Sequence, residues 1–235
     1  MKLELVNGFE DAISLATRVA SDLKKQVLEL LKHKETVNLV VTGGTVGTNV
    51  LEHLGKLLSD ADLSNLHIWW TDERFVGQES EDRNYLQAER AFISQVSIPQ
   101  ENIHEMPSLE DGELRSAAES FASEIESLNP HFDIVILGMG PDGHVASLFP
   151  GSPGVTFGSR VVAEENSPKP PKERISLSYS ALSSSEEVWF VVAGSEKSDA
   201  VAAVFDKVDL PATKVNGKSC TRWYLDKAAG SKITS

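Results

Sequence analysis

FDIVILGMGPDGHVASLFPG, residues 132–151, joins the most apolar strand-like run of the chain to a glycine-rich loop that ends in a histidine. The run IVIL carries large aliphatic side chains on successive residues, the pattern of a strand buried on both faces of a parallel sheet. Gly138, Gly140 and Gly143 then let the backbone turn sharply and approach a ligand closely. His144 follows just past the strand end, where open α/β sheets present their chemistry. A tight loop with a surface histidine would read the same way.

Outward from this segment, strand-like and helix-like runs alternate. TVNLVVTGG (36–44), NLHIWWTDERFV (65–76), RISLSYSAL (174–182), EEVWFVVAG (186–194) and CTRWYLD (220–226) read as strands. Residues 9–32 have apolar residues close to a helical period: Phe9, Ile13, Ala16, Val19, Ala20, Leu23, Val27 and Leu30. Further helices are expected at 46–59, 82–93 (with Asp82 near the start) and 111–128. Another is expected from a Ser195 N-cap, and a short terminal one after CTRWYLD. This alternation predicts one α/β domain over residues 1–235. Its sheet is doubly wound and mainly parallel, with helices on both faces. The charged run T-D-E-R is expected to be a loop after its strand, and ENSPKPPKE (165–173) a mobile surface connection.

Composition narrows the function classes. The 235 residues carry a formal net charge of −13, which argues against a generalised nucleic-acid binder. An anionic small substrate stays compatible, because a few Lys and Arg in one cleft reverse the local potential. The single cysteine, Cys220, allows neither an intrachain disulfide nor a thiolate metal site. The first residues, MKLELVNGFEDAISLA, do not read as a signal peptide, and no apolar run reaches transmembrane length. A cytoplasmic protein with no membrane partner is expected, as a monomer or small homo-oligomer.

Gly138, Gly140 and Gly143 match the dinucleotide pattern G-x-G-x-x-G in form, with Glu164 about 20 residues on. A dinucleotide site needs a long helix directly after the last glycine. Here only HVASLF precedes Pro150, which a helix cannot pass unbroken. No H-E-x-x-H pair and no G-x-S-x-G elbow occurs, so neither zinc hydrolysis nor a serine triad is supported. No metal or organic cofactor is expected. His33, His53, His67, His104 and His131 read as structural.

Three more segments lie just after strands. Gly43, Gly44 and Thr45 join a strand to a helix N-terminus, a natural anion site and also an ordinary βα turn. Asp72, Glu73 and Arg74 form either a solvated charged loop or a substrate clamp, with Arg74 able to fork onto phosphate or a carbonyl oxygen. Lys197, in a first helical turn, opposes the helix dipole, which suits a nearby anion and equally a solvent-facing lysine. Arg174 opens RISLS and is either functional or merely exposed.

Taken together the segments resemble the 6-phosphogluconolactonase family. The resemblance is carried by G-M-G-x-D-G-H-x-A-S-L-F-P at 138–150, with G-G-T at 43–45, T-D-E-R-x-V at 71–76 and R-I-S-L at 174–177. A-G-S-E-K at 193–197, L-P-A at 210–212 and W-Y-L-D at 223–226 follow in the same order. The related glucosamine-6-phosphate deaminases share a similar glycine–histidine loop but continue toward Asn-Glu-Pro, where this chain has Ser147-Leu148-Phe149-Pro150. Two positions depart from the family pattern. Gly47 replaces a common proline, which would loosen that turn, and Val145 replaces a common threonine, which would remove a hydroxyl beside His144.

The resemblance implies a fold of the ribose-5-phosphate isomerase type and hydrolysis of a phosphorylated sugar lactone. Under it His144 is the expected general base, Asp142 its orienting partner, and Arg74 or loop N–H groups the oxyanion donors. Gly43, Gly44, Thr45, Asp72, Glu73, Arg74, Gly140, Gly143, Arg174 and Lys197 are the expected substrate and phosphate contacts. Two alternatives remain: an amino-sugar-phosphate deaminase or isomerase, and a non-catalytic sugar-phosphate sensor. The second usually carries a DNA-binding helical domain, for which a single N-terminal helix running into a core strand leaves no room.

Overall fold

Leu39 and Val40 stand in parallel register with Ile68 and Trp69 on one side and with Ile134 and Val135 on the other. These pairs lie at the centre of the fold. The computed structural model describes residues 2–152, 154–158 and 160–233. Its strands are β1 (Lys2–Phe9), β2 (Val37–Val41), β3 (Leu66–Trp70), β4 (Asp72–Arg74), β5 (Ile134–Leu137), β6 (Val155–Phe157), β7 (Val161–Glu164), β8 (Arg174–Leu177), β9 (Glu187–Val192) and β10 (Cys220–Asp226). Its helices are α1 (Ala12–Leu31), α2 (Gly44–Leu58), α3 (Asn84–Ala91), α4 (Leu114–Leu128), α5 (Tyr179–Ser183) and α6 (Ser198–Phe205).

Among the described residues six strands form a parallel sheet in the order β1-β10-β9-β5-β2-β3. Every residue of β2 and β5 is buried; both runs are aliphatic except for Asn38, whose side-chain amide is paired with the His131 carbonyl and Trp69 Nε1. Helices surround the sheet, so the expected doubly wound, mainly parallel α/β architecture stands. Helix α1 starts at an Asp11 cap whose carboxylate accepts from Ser14 N at 2.8 Å. It buries Leu15, Ala16, Val19, Ala20, Leu23 and Val27, whereas the expected core residue Ile13 is exposed.

Several elements differ from the sequence reading. T-D-E-R is not a loop: residues 72–74 form β4, which pairs antiparallel with β8. With β7 and β6 they make a second, antiparallel sheet in the order β4-β8-β7-β6. RISLSYSAL divides into β8 and the short helix α5. The N-terminal residues add the edge strand β1, whose largely exposed side chains hide its pairing with β10 from any hydrophobic pattern. Ser195 does not cap a helix; it opens a 3₁₀ turn, Ser195–Lys197, that runs into α6. After β10 the described residues form turns rather than a helix. Val161, Ala163, Ile175 and Leu177 of the second sheet belong to the same buried core as the six-stranded sheet. No described helix is long and apolar enough to cross a membrane.

The strand order places the carboxyl ends of β3, β2, β5 and β9 side by side. The chain leaves β2 toward β3 on one flank and β5 toward β9 on the other, and ligands of open α/β sheets bind at such a reversal.

Candidate active site

A cleft of about 380 Å³ opens at those four strand ends. Of the expected site residues, Gly43, Gly44, Thr45, Asp72, Arg74, Gly140, His144, Arg174 and Lys197 line it. Glu73, Asp142 and Gly143 do not, and Asn84 and Lys169, unremarkable in the sequence, do. Its charged lining sets Arg74, Lys169, Arg174 and Lys197 against Asp72 and Glu196. Cations therefore prevail locally in a chain of net charge −13.

The loop after β5 is built around the histidine. Gly140 N donates to the His144 carbonyl at 2.9 Å, and Gly143 N to the Gly140 carbonyl at 3.0 Å. A Cβ at residue 140 would lie 2.1 Å from His144 Cε1 and Nδ1, so the loop closes only over glycine. Gly143 holds φ +79 and its carbonyl accepts from Ala212 N at 3.0 Å, so L-P-A braces the loop from behind. His144 Nδ1 lies 2.5 Å from Asp142 Oδ1. A carboxylate only accepts, so Nδ1 carries a proton and Nε2 holds the lone pair of the neutral ring. Burial pushes the His144 imidazole below its ordinary value, and Asp142 only partly offsets this. Burial raises the Asp142 carboxyl, but the hydrogen bond and charge of His144 together with backbone N–H groups outweigh it, and the net shift is downward. Val145, where the family commonly has threonine, is fully buried and belongs to the hydrophobic core.

Beneath β2, Gly43 is the N-cap of α2, with no side-chain cap, and Gly44 adopts φ +77. The first N–H groups of a fifteen-residue helix thus face the cleft end of β2. Gly47 packs closely against the end of β2: a Cβ there would meet the Thr42 carbonyl oxygen at 2.5 Å.

Strand alternation sorts the charged run, because successive β side chains point to opposite faces. Asp72 and Arg74 face the cleft. Asp72 accepts from Ser147 Oγ at 2.7 Å and Thr71 Oγ1 at 3.1 Å. Arg74 donates to the Asp82 carbonyl through one terminal nitrogen. Glu73 turns inward, where it is 1% exposed. There it accepts from the backbone N–H of Arg74, Asn84 and Tyr85 at 2.7, 2.7 and 2.8 Å, with Arg83 Nε at 3.4 Å. It anchors the start of α3 instead of meeting a ligand.

Arg174 is neither simply exposed nor a free anion ligand. Its Nε donates to the Pro171 carbonyl at 3.0 Å and one terminal nitrogen to the Lys169 carbonyl at 3.2 Å. The Pro/Lys segment is therefore tied down as a cleft wall that carries Lys169. Lys197 ends the 3₁₀ turn, with Glu196 at 4.0 Å. Burial, aided by Lys169, pushes its ammonium below its ordinary value against the pull of Glu196. That turn hangs on Asp226 of W-Y-L-D, which accepts from Gly194 N at 3.0 Å. Away from the cleft, His67 and His104 pair at 2.9 Å, His104 stacks on Trp69, and burial lowers the His104 pKa to about 4.

The chain matches the family model of glucosamine-6-phosphate isomerases/6-phosphogluconolactonase over residues 10–223. It is 36% identical to a 6-phosphogluconolactonase of Mycobacterium leprae, across 97% of this chain and 98% of that protein. It is 40% identical to one of Mycobacterium tuberculosis, across 84% of this chain and 85% of that protein. The crystal structure of a 6-phosphogluconolactonase from Thermotoga maritima superposes with a TM-score of 0.87 at 30% identity, over 96% of this chain and 100% of that one. A continuous match of this extent means that the chain belongs to the glucosamine-6-phosphate isomerase/6-phosphogluconolactonase family.

Proposed function

We propose that this chain hydrolyses 6-phospho-D-glucono-1,5-lactone to 6-phosphogluconate, a step of the oxidative pentose phosphate pathway. The observation that carries the reading is the Asp142–His144 pair, set with a free Nε2 in a cleft where four cations surround two carboxylates. Relatives named for this activity support it.

A δ-lactone is an activated ester, so a positioned base and an oxyanion donor suffice. Neutral His144 takes a proton from water at Nε2 as the water oxygen bonds to the lactone carbonyl carbon. Arg74 or loop N–H groups meet the oxyanion. Collapse breaks the bond to the ring oxygen, His144 returns its proton there, and the new carboxylic acid ionises. Asp142 keeps Nδ1 protonated and stabilises the imidazolium. Lys197, Lys169, the Arg174 corner and the first turn of α2 at Gly43, Gly44 and Thr45 hold the phosphate. Asp72 faces the sugar. No step of this scheme is assigned to a metal or an organic cofactor. The protein works as one α/β domain in the cytoplasm, as a monomer or small homo-oligomer, without nucleic-acid or membrane partners.

The test is a continuous assay with freshly made phosphorylated lactone, corrected for spontaneous hydrolysis, run beside unphosphorylated gluconolactone. The expected result is rapid hydrolysis of the first and a much lower kcat/KM for the second. Equal kcat/KM for both would remove the anion site. No hydrolysis, with ammonia released from glucosamine 6-phosphate, would put the chain on the deaminase side of the family.

A further inference from the structure

Asn84 begins α3 at the back of the cleft and is 3% exposed. Its Nδ2 donates to the Asp72 carbonyl at 2.8 Å, and its backbone N–H to Glu73 Oε1 at 2.7 Å. Oδ1 is buried and, among the described residues, has no hydrogen-bond partner. Turning the amide over would not relieve this, because Oδ1 would then face the Asp72 carbonyl, acceptor against acceptor. The amide has room only because residue 43 is glycine: a Cβ there would lie 1.9 Å from Oδ1.

Folded proteins leave few buried polar atoms unpaired, because each forfeits its hydration without return. In the same lining Arg74 Nε is a buried donor without a partner among the described residues. A hydroxyl is the group that accepts from an N–H and donates to an amide oxygen at once. A phosphate or carboxylate oxygen has no proton to offer Oδ1 at neutral pH and would be repelled by it. Arg74, Lys169, Arg174 and Lys197 suit the anionic end of a substrate; Asn84 suits its hydroxylated part.

We propose that Asn84 is a specificity-determining residue whose Oδ1 accepts a hydrogen bond from a ring hydroxyl of the sugar lactone. The inference rests on the lactonase reading and adds which part of the substrate the amide recognises.

The experiment compares kcat/KM for 6-phosphogluconolactone with its 2-, 3- and 4-deoxy analogues, in the wild type, Asn84→Ala and Asn84→Asp. The wild type should disfavour one deoxy lactone by roughly 10- to 100-fold, as a site built for a hydroxyl does. Asn84→Ala should lose that preference to within about 3-fold, whatever its overall rate. Asn84→Asp keeps an acceptor toward the hydroxyl but sets its second oxygen against the Asp72 carbonyl, so it should retain the preference at a reduced overall rate. A wild type that treats all three deoxy lactones like the parent overturns the inference even if no variant folds. So does an Asn84→Ala enzyme with the wild-type ratios, which would confine Asn84 to supporting Asp72. Absence of any hydrolysis of the parent lactone would instead defeat the lactonase reading itself.

Discussion

Arg174 Nε donates to the carbonyl oxygen of Pro171 across 3.0 Å, so the arginine that opens β8 holds the loop that carries Lys169 into the cleft. Arg174 thus acts partly through Lys169. Arg174→Ala should raise KM for the phosphorylated lactone roughly 10- to 100-fold, the scale of lost charge-assisted hydrogen bonds. Lys169→Ala should raise it less. The double variant should be little worse than Arg174→Ala alone, because the two changes share one path. Steady-state kinetics on all three enzymes measures this, and additive effects would show that the two cations act independently.

His144→Asn should reduce kcat roughly 10²- to 10⁴-fold while leaving 6-phosphogluconate binding nearly unchanged. Single-turnover kinetics with calorimetric product binding separates the two quantities. A near-normal kcat would transfer the base role to Asp72, the carboxylate that faces the cleft beside Arg74.

The pH profile follows from the direction of the His144 shift. The base works when neutral, and burial holds its pKa below the ordinary value of about 6.5. The acid limb of kcat/KM should therefore fall at a pH below 6.5, as the free enzyme's imidazole takes up a proton. Asp142→Asn removes the carboxylate that partly holds this pKa up. The limb should then move to still lower pH, with a lower plateau because the ring tautomer is no longer fixed. A limb that moves to higher pH would contradict the pairing.

Gly140→Ala places a methyl where the imidazole ring now lies, 2.1 Å from His144 Cε1. The ring must shift, at a local cost of about 1–3 kcal/mol. The expected result is a large drop in kcat with a small change in KM. An unchanged kcat would show that the base tolerates displacement.

Glu73→Ala should destabilise the fold rather than change substrate binding. It leaves Arg83, itself 1% exposed, without its carboxylate, and strips three backbone N–H groups at the start of α3 of their acceptor. Breaking one side of a buried pair costs about 3–5 kcal/mol. Urea unfolding should report a loss of that order, with KM near normal in whatever remains folded. A wild-type unfolding midpoint with a raised KM would return Glu73 to the cleft.

The layered architecture and the whereabouts of the chemistry follow from the residue pattern along the chain. Largely apolar runs at β2, β5 and β9, separated by helical periods, allow little but a parallel sheet covered by helices, since only there are both faces of each strand buried. Parallel strands all end on one side, so the segments after them had to converge, and most of the named residues do line one cleft. Tertiary structure decided which side chains within those segments face it. T-D-E-R has no alternation to read until β8 pairs with it; only then do Asp72 and Arg74 turn to the cleft and Glu73 to α3. Asn84 and Lys169 lie far along the chain from His144 and carry no local signal, because their role depends on where α3 and the loop held by Arg174 come to rest. Periodicity reports which face of an element is buried, whereas a site is a set of distances between elements, and those are set only when the core and the long-range hydrogen bonds close together.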